Sequence, residues 1–92
     1  MKKLKQFSYY SDHGKDKGSQ YYIVASSQKQ VVELLNRIGI YFTLSDVRNY
    51  FQMWGNDGEK VMKDIEITEP SVYVVQRKGM FDEMNGIPKK IV

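Results

Sequence analysis

At a pair of serines, Ser26 and Ser27, the chain changes from a strand pattern to a helix pattern. Residues 21–25, Tyr-Tyr-Ile-Val-Ala, form a nearly continuous apolar run, and its β-branched and aromatic side chains suit a pleated strand. After the serines, Val31, Leu34, Leu35 and Ile38 recur at helical spacing and make one apolar stripe. Ser27 followed by Gln30 reads as a capping box, in which the serine oxygen accepts from an orphan backbone N–H and the glutamine reaches back. Gly39 supplies a residue able to end the helix in a left-handed conformation. The stripe of such a helix needs an apolar surface to lie on. The expected architecture is therefore a sheet covered by at least one helix, with residues 21–25 at its centre because they are apolar on both faces.

The remaining elements follow from the same reasoning. Residues 3–10 alternate lysine, apolar and aromatic positions and predict a first strand. The polar, glycine-containing stretch 11–19 predicts a long hairpin loop to the second. Thr43 or Ser45 is expected to cap a second helix, with Val47, Tyr50, Phe51 and Trp54 along its inner stripe and Gly55 at its end. Asn56-Asp57-Gly58 reads as a turn, and residues 59–64 as a short helical turn with Val61, Met62 and Ile65 inward. A short extra strand is expected near 65–67. Residues 72–75 predict a further strand closed by Gly79, and residues 80–92 an irregular tail or a small hairpin. The order β-β-α-α-β in one domain spanning 1–92 implies an α+β fold: a small antiparallel sheet with two helices packed on one face.

Composition excludes several chemistries. The chain has no cysteine, so disulfides, thiolate nucleophiles and thiolate metal sites are ruled out. No apolar run approaches the roughly 18 residues that would span a bilayer. The basic start, Met-Lys-Lys-Leu-Lys-Gln-Phe, lacks the apolar stretch of a signal peptide, so a cytoplasmic protein with no membrane partner is expected. A net charge of +3 permits an anionic partner without demanding one.

No constellation in the sequence points to catalysis, a cofactor or a metal. The single histidine, His13, stands in a polar loop beside Asp12 and Asp16, short of the three or four ligands that a protein metal site uses. Ser26, Ser27 and Ser45 are better explained as helix caps than as nucleophiles, and no Gly-x-Ser-x-Gly elbow is present. Asp64 and Glu66 would share a face on a strand and read as a solvated face opposite Ile65 and Ile67. The stretch 14–19 fails as a phosphate loop because Gly18-Ser19 leads into a strand rather than a helix. Read as a helix-turn-helix, the second helix would present Arg48, Asn49 and Gln52, a thin inventory for base contacts.

The spare aromatic content favours recognition instead. Tyrosine, tryptophan and methionine are enriched where proteins meet. Tyr9, Tyr10, Tyr41, Trp54, Met80, Phe81 and Met84 exceed what one small core needs, and Tyr9, Tyr22, Trp54, Met80 and Phe81 are the expected contacts to another protein or to a second copy. Tyr22 is chosen because one of Tyr21 and Tyr22 must face away from the helices. The alternative is a nucleic-acid module in the N-terminal hairpin, with Lys3, Lys5, Lys15 and Lys17 meeting phosphates and Tyr9 stacking on a base. A small non-enzymatic binding or regulatory protein is thus the expectation. Short, cysteine-free and aromatic, the chain is similar in general style to small accessory proteins of phages and mobile elements, a likeness that no motif defines.

Overall fold

A computed structural model of the chain describes residues 4–11, 14, 17–77 and 84–92. The fold is α+β, as the sequence implies. Strands β1 (Lys5–Tyr10), β2 (Ser19–Ala25), β3 (Gln52–Met53), β4 (Ser71–Arg77) and β5 (Met84–Lys90) form one sheet in the order β3-β1-β2-β4-β5. Every neighbouring pair is antiparallel. All seven residues of β2 are buried, in keeping with its central place.

Helices α1 (Gln28–Arg37) and α2 (Leu44–Tyr50) cover one face. Phe7, Tyr21, Ile23, Ala25 and Val72 point to that side and pack with Val31, Leu34, Leu35, Val47 and Phe51. The start of α1 follows the expected capping box with one displacement. Ser27 Oγ accepts from the Gln30 N–H at 3.2 Å, but Gln30 Oε1 reaches past Ser27 to accept from the Ser26 N–H at 2.6 Å. Its end is a Schellman motif: Gly39 has φ +84°, its N–H donates to Asn36, and the Ile40 N–H donates to Leu35. Thr43, not Ser45, caps α2. Its side chain accepts from the Asp46 N–H, and the Asp46 carboxylate accepts from the Thr43 N–H.

The second helix is shorter than its apolar stripe predicts. It ends at Phe51, whose ψ of 141° is already extended. Gln52 and Met53 then pair with Ser8 and Phe7 as β3, where the edge of β1 offers backbone hydrogen bonds that a longer helix would leave unmade. Val47 and Phe51 are buried as expected, but Tyr50 is exposed and Trp54 is carried round the sheet edge to the opposite face.

That face is also covered, beyond the two helices expected. A third helix, α3 (Asn56–Val61), begins in the expected turn at 56–58 and overlaps the short helical turn expected at 59–64, whose Val61, Met62 and Ile65 face inward as expected; residues 62–70 continue across the sheet. No strand forms at 65–67; the extra short strand is β3 instead. Trp54, Val61, Met62, Ile65 and Ile67 pack here against Tyr22, Tyr73 and Val75. The tail is likewise a strand rather than irregular over Met84–Lys90, hydrogen-bonded to β4. A radius of gyration of 12.3 Å is that of a single domain of this length, about 12 Å by the usual scaling.

Candidate functional site

The helix-covered face of β1 carries the residues on which a nucleic-acid reading rests. Lys5 is exposed, while Phe7, two positions on, is buried in the core. The Tyr9 ring stacks on Phe51 at 4.8 Å and meets Phe42 edge-on at 5.2 Å. Tyr9 therefore serves as a side wall of the core, and its alternation with lysine reflects one buried face rather than a base-stacking platform. Lys17 is exposed in the turn that leads into β2. Lys3 and Lys15 lie outside the described residues, as do His13, Asp12 and Asp16.

The partner-binding residues expected from sequence fare unevenly. Tyr22 is 2% exposed, enclosed by Trp54 edge-on at 5.5 Å and by the backbone of Gly58. It cannot meet a partner at the surface. Tyr21 faces α1 and α2 and Tyr22 faces away, as adjacent strand residues must, but the face away from α1 and α2 is itself covered. Trp54 is half-buried, and its indole N–H donates to the carbonyl of Phe7 at 2.7 Å. Its role is to fasten the sheet edge. Met80 and Phe81 lie outside the described residues.

The serines are occupied as structure. Ser27 caps α1, Ser26 Oγ donates to Gln30 at 2.9 Å, and Ser45 accepts from Asn49 at 3.4 Å. Ser11 and Ser19 are buried. Asp64 and Glu66 are exposed and lie on no strand, so the shared-face geometry expected of them does not arise. Among the described residues no three acidic or histidine side chains are placed to hold a metal ion, and no helix is long and apolar enough to cross a membrane. Arg48 and Asn49 are exposed on α2, but Gln52 belongs to β3, so the three do not share a helix.

A polar cluster that sequence reasoning missed lies where β1, β2 and β4 meet. Gln20 is 5% exposed; its Nε2 donates to the Tyr9 carbonyl at 3.1 Å, and its Oε1 accepts from Arg77 at 2.8 Å. The Arg77 guanidinium also lies over the Tyr10 ring, 5.8 Å from its centroid. These contacts satisfy a buried amide and tie β4 to β2 through side chains.

Large apolar side chains are exposed in two places: Ile87 (81%) and Ile91 (39%) in and just after β5, and a larger group on the helical side. Tyr41 is 79%, Tyr50 62% and Met53 58% exposed, with Leu44 partly so. Tyr41 stands in the α1–α2 connection and Tyr50 at the end of α2. Met53 pairs with Phe7, and directly opposed residues of an antiparallel pair project to the same side, so Met53 faces the helical layer too. Of these only Tyr41 stood out in the sequence as surplus aromatic. Tyr50 was hidden among the helical stripe, and Met53 becomes visible only once the helix is known to stop at Phe51.

Strand addition is blunted at both sheet edges. β3 is two residues long. β5 carries Pro88, Lys89 and Lys90, and its register with β4 is interrupted between Val74 and Gln76. Short edges, prolines, lysines and bulges each oppose pairing with a further strand. No family model matches the chain, and no curated protein or solved structure shows significant similarity to it.

Proposed function

We propose that the chain is a binding protein whose partner is another protein, met through side chains on the helical side of the sheet. The observation that carries this reading is the exposure of Tyr41, Tyr50 and Met53 along one run of structure, from the α1–α2 connection through α2 to β3. Two phenol rings and a thioether in water are large apolar groups with a polar or polarizable tip, the type that concentrates at protein interfaces. Arg48 and Asn49, exposed on α2, supply polar contacts at its rim. Blunted sheet edges favour docking by side chains over docking by backbone.

Affinity capture from a native lysate, with wild type and a Tyr50→Ala/Met53→Ser double variant as baits, tests this. The reading is supported when a protein retained by wild type and by Lys5→Glu is lost with the double variant. Light scattering provides a parallel arm: a mass above that of a monomer which the double variant returns to monomer makes the partner a second copy. A strict monomer that retains nothing, or retention that the double variant leaves intact, overturns it. Low-salt binding to DNA or RNA that is lost on Lys5→Glu and falls steeply with salt replaces it with the nucleic-acid reading.

A further inference from the structure

Residues 54–70 cross the face of the sheet opposite α1 and α2 as a strap, tethered by β3 at one end and β4 at the other. Its regular part, α3, is six residues long and begins at Gly55 with no side-chain cap. Residues 62–70 include neither helix nor strand, and the backbone bond seen there is local, from Ile65 to Met62. The strap is held by the Trp54–Phe7 hydrogen bond, by the packing of Trp54, Val61, Met62, Ile65 and Ile67 on Tyr22, Tyr73 and Val75, and by the ion pair of Glu69 with Lys90. That pair is largely solvent-exposed and contributes little.

The other side of the sheet has a buried core of its own. Ile23, Val72, Val31, Leu35 and Val47, each at most 1% exposed, join the central strands to α1 and α2. A sheet packed on a helical layer is a sufficient architecture by itself. The molecule thus has a larger core between sheet and helices and a smaller one beneath a segment with few backbone bonds. Such segments open at lower free energy than the body of a domain.

We propose that residues 54–70 open as a unit while the sheet and helices α1 and α2 remain folded, uncovering an apolar face formed by Tyr22, Tyr73 and Val75. Both ends stay tethered, so the opening is reversible and closes without a second molecule. In the open form Trp54 leaves Phe7 and Tyr22 for water. The closed form hides two tyrosines that the open form presents.

Trp54 is the only tryptophan of the chain, so tryptophan fluorescence reports on the contact of the strap with the sheet. In a urea titration its red shift is expected at lower urea than the loss of far-UV circular dichroism. In native-state hydrogen exchange, the hydrogen-bonded amides of Glu59 and Met62 are expected to exchange at least tenfold faster than that of Ile23, after correction for intrinsic rates. Met62→Ala should speed the Glu59 amide a further tenfold or more while the Ile23 amide changes less than threefold. Coincident transitions, with equal protection of Met62 and Ile23, overturn the proposal. So does a Met62→Ala protein in which both regions lose protection equally. If that variant does not fold, the wild-type exchange rates decide alone.

Discussion

The indole N–H of Trp54 donates to the backbone carbonyl of Phe7 at 2.7 Å, joining the two sides of the sheet at its edge. The Phe7 ring lies in the core beneath α1 and α2, whereas the Trp54 ring lies in the core on the other side, against Tyr22. One bond thus links the two cores just where the chain turns from α2 through β3 toward α3. The same turn draws the Trp54 N–H toward Gln6 at 3.4 Å, so side chain and backbone fix the crossing together.

Replacing Trp54 with phenylalanine keeps an aromatic ring against Tyr22 and removes the donor. Loss of one partner from a partly buried hydrogen bond costs about 1–3 kcal/mol. The expected result is faster exchange of the Glu59 and Met62 amides by about ten- to a hundredfold, a readout independent of the lost fluorophore. Exchange unchanged within twofold would show that the hydrogen bond contributes nothing to holding the crossing.

Gly18 and Gly39 separate two reasons for a glycine. Both have positive φ, +91° and +84°, but a Cβ on Gly18 would stand 2.7 Å from the Arg77 carbonyl oxygen, whereas one on Gly39 would meet open space. The Gly18 carbonyl also accepts from the Arg77 N–H at 2.7 Å, so β4 cannot withdraw without breaking that bond. Gly39→Ala should cost about 1 kcal/mol, the backbone penalty alone. Gly18→Ala should cost about 2–4 kcal/mol, because overpacking is added. At about 4–8 °C per kcal/mol for a domain of this size, thermal melts by circular dichroism resolve the difference. Equal losses would remove the Arg77 contact as a cause.

Much of this fold is legible in the sequence where local chemistry decides it. Residues 21–25 announce a central strand because they are apolar on both faces, and Ser27 and Gly39 mark the ends of α1 because a cap and a left-handed residue have few substitutes. Residues 51–67 are legible only in part: Val61, Met62 and Ile65 turn inward as their spacing predicts, but the elements around them do not follow. Val47, Tyr50, Phe51 and Trp54 fit a helix perfectly well, and only the unpaired edge of β1, distant in sequence, makes an extended conformation win after Phe51. That non-local event moves Trp54 to the other face, exposes Tyr50 and Met53, and lays α3 over Tyr22. The exposed surface escapes a sequence reading for the same reason, since exposure depends on which elements arrive to cover a side chain.

The caps at the start of α1 give a graded test of local chemistry. Ser27→Ala removes the acceptor for the Gln30 N–H and should cost about 1 kcal/mol. Gln30→Ala removes the acceptor for the Ser26 N–H and should cost a similar amount, about 1 kcal/mol. Ser26→Ala leaves that backbone bond in place and should stay within about 0.5 kcal/mol of wild type. Chemical denaturation followed by circular dichroism measures all three. A larger loss for Ser26→Ala than for Ser27→Ala would reverse the assignment of the cap.

Tyr22, expected to face away from the helices, and Tyr41, surplus to the core, both read from the sequence as surface aromatics, yet the fold gives them opposite roles. Tyr22 is 2% exposed beneath Trp54, Met62 and Gly58, whereas Tyr41 is 79% exposed. Truncating a buried ring removes its packing and leaves a cavity that the rigid sheet cannot fill, for about 3–5 kcal/mol. Tyr22→Ala should therefore shift the urea midpoint of the Trp54 fluorescence transition strongly downward, with the indole already partly wet in the absence of urea. Tyr41→Ala should move that midpoint by no more than about 0.5 kcal/mol equivalent. Capture of a partner by the proposed surface should respond in the reverse sense, falling for Tyr41→Ala at unchanged stability. A Tyr22→Ala protein as stable as wild type would mean that the face opposite α1 and α2 is open in solution, returning Tyr22 to the exposed surface.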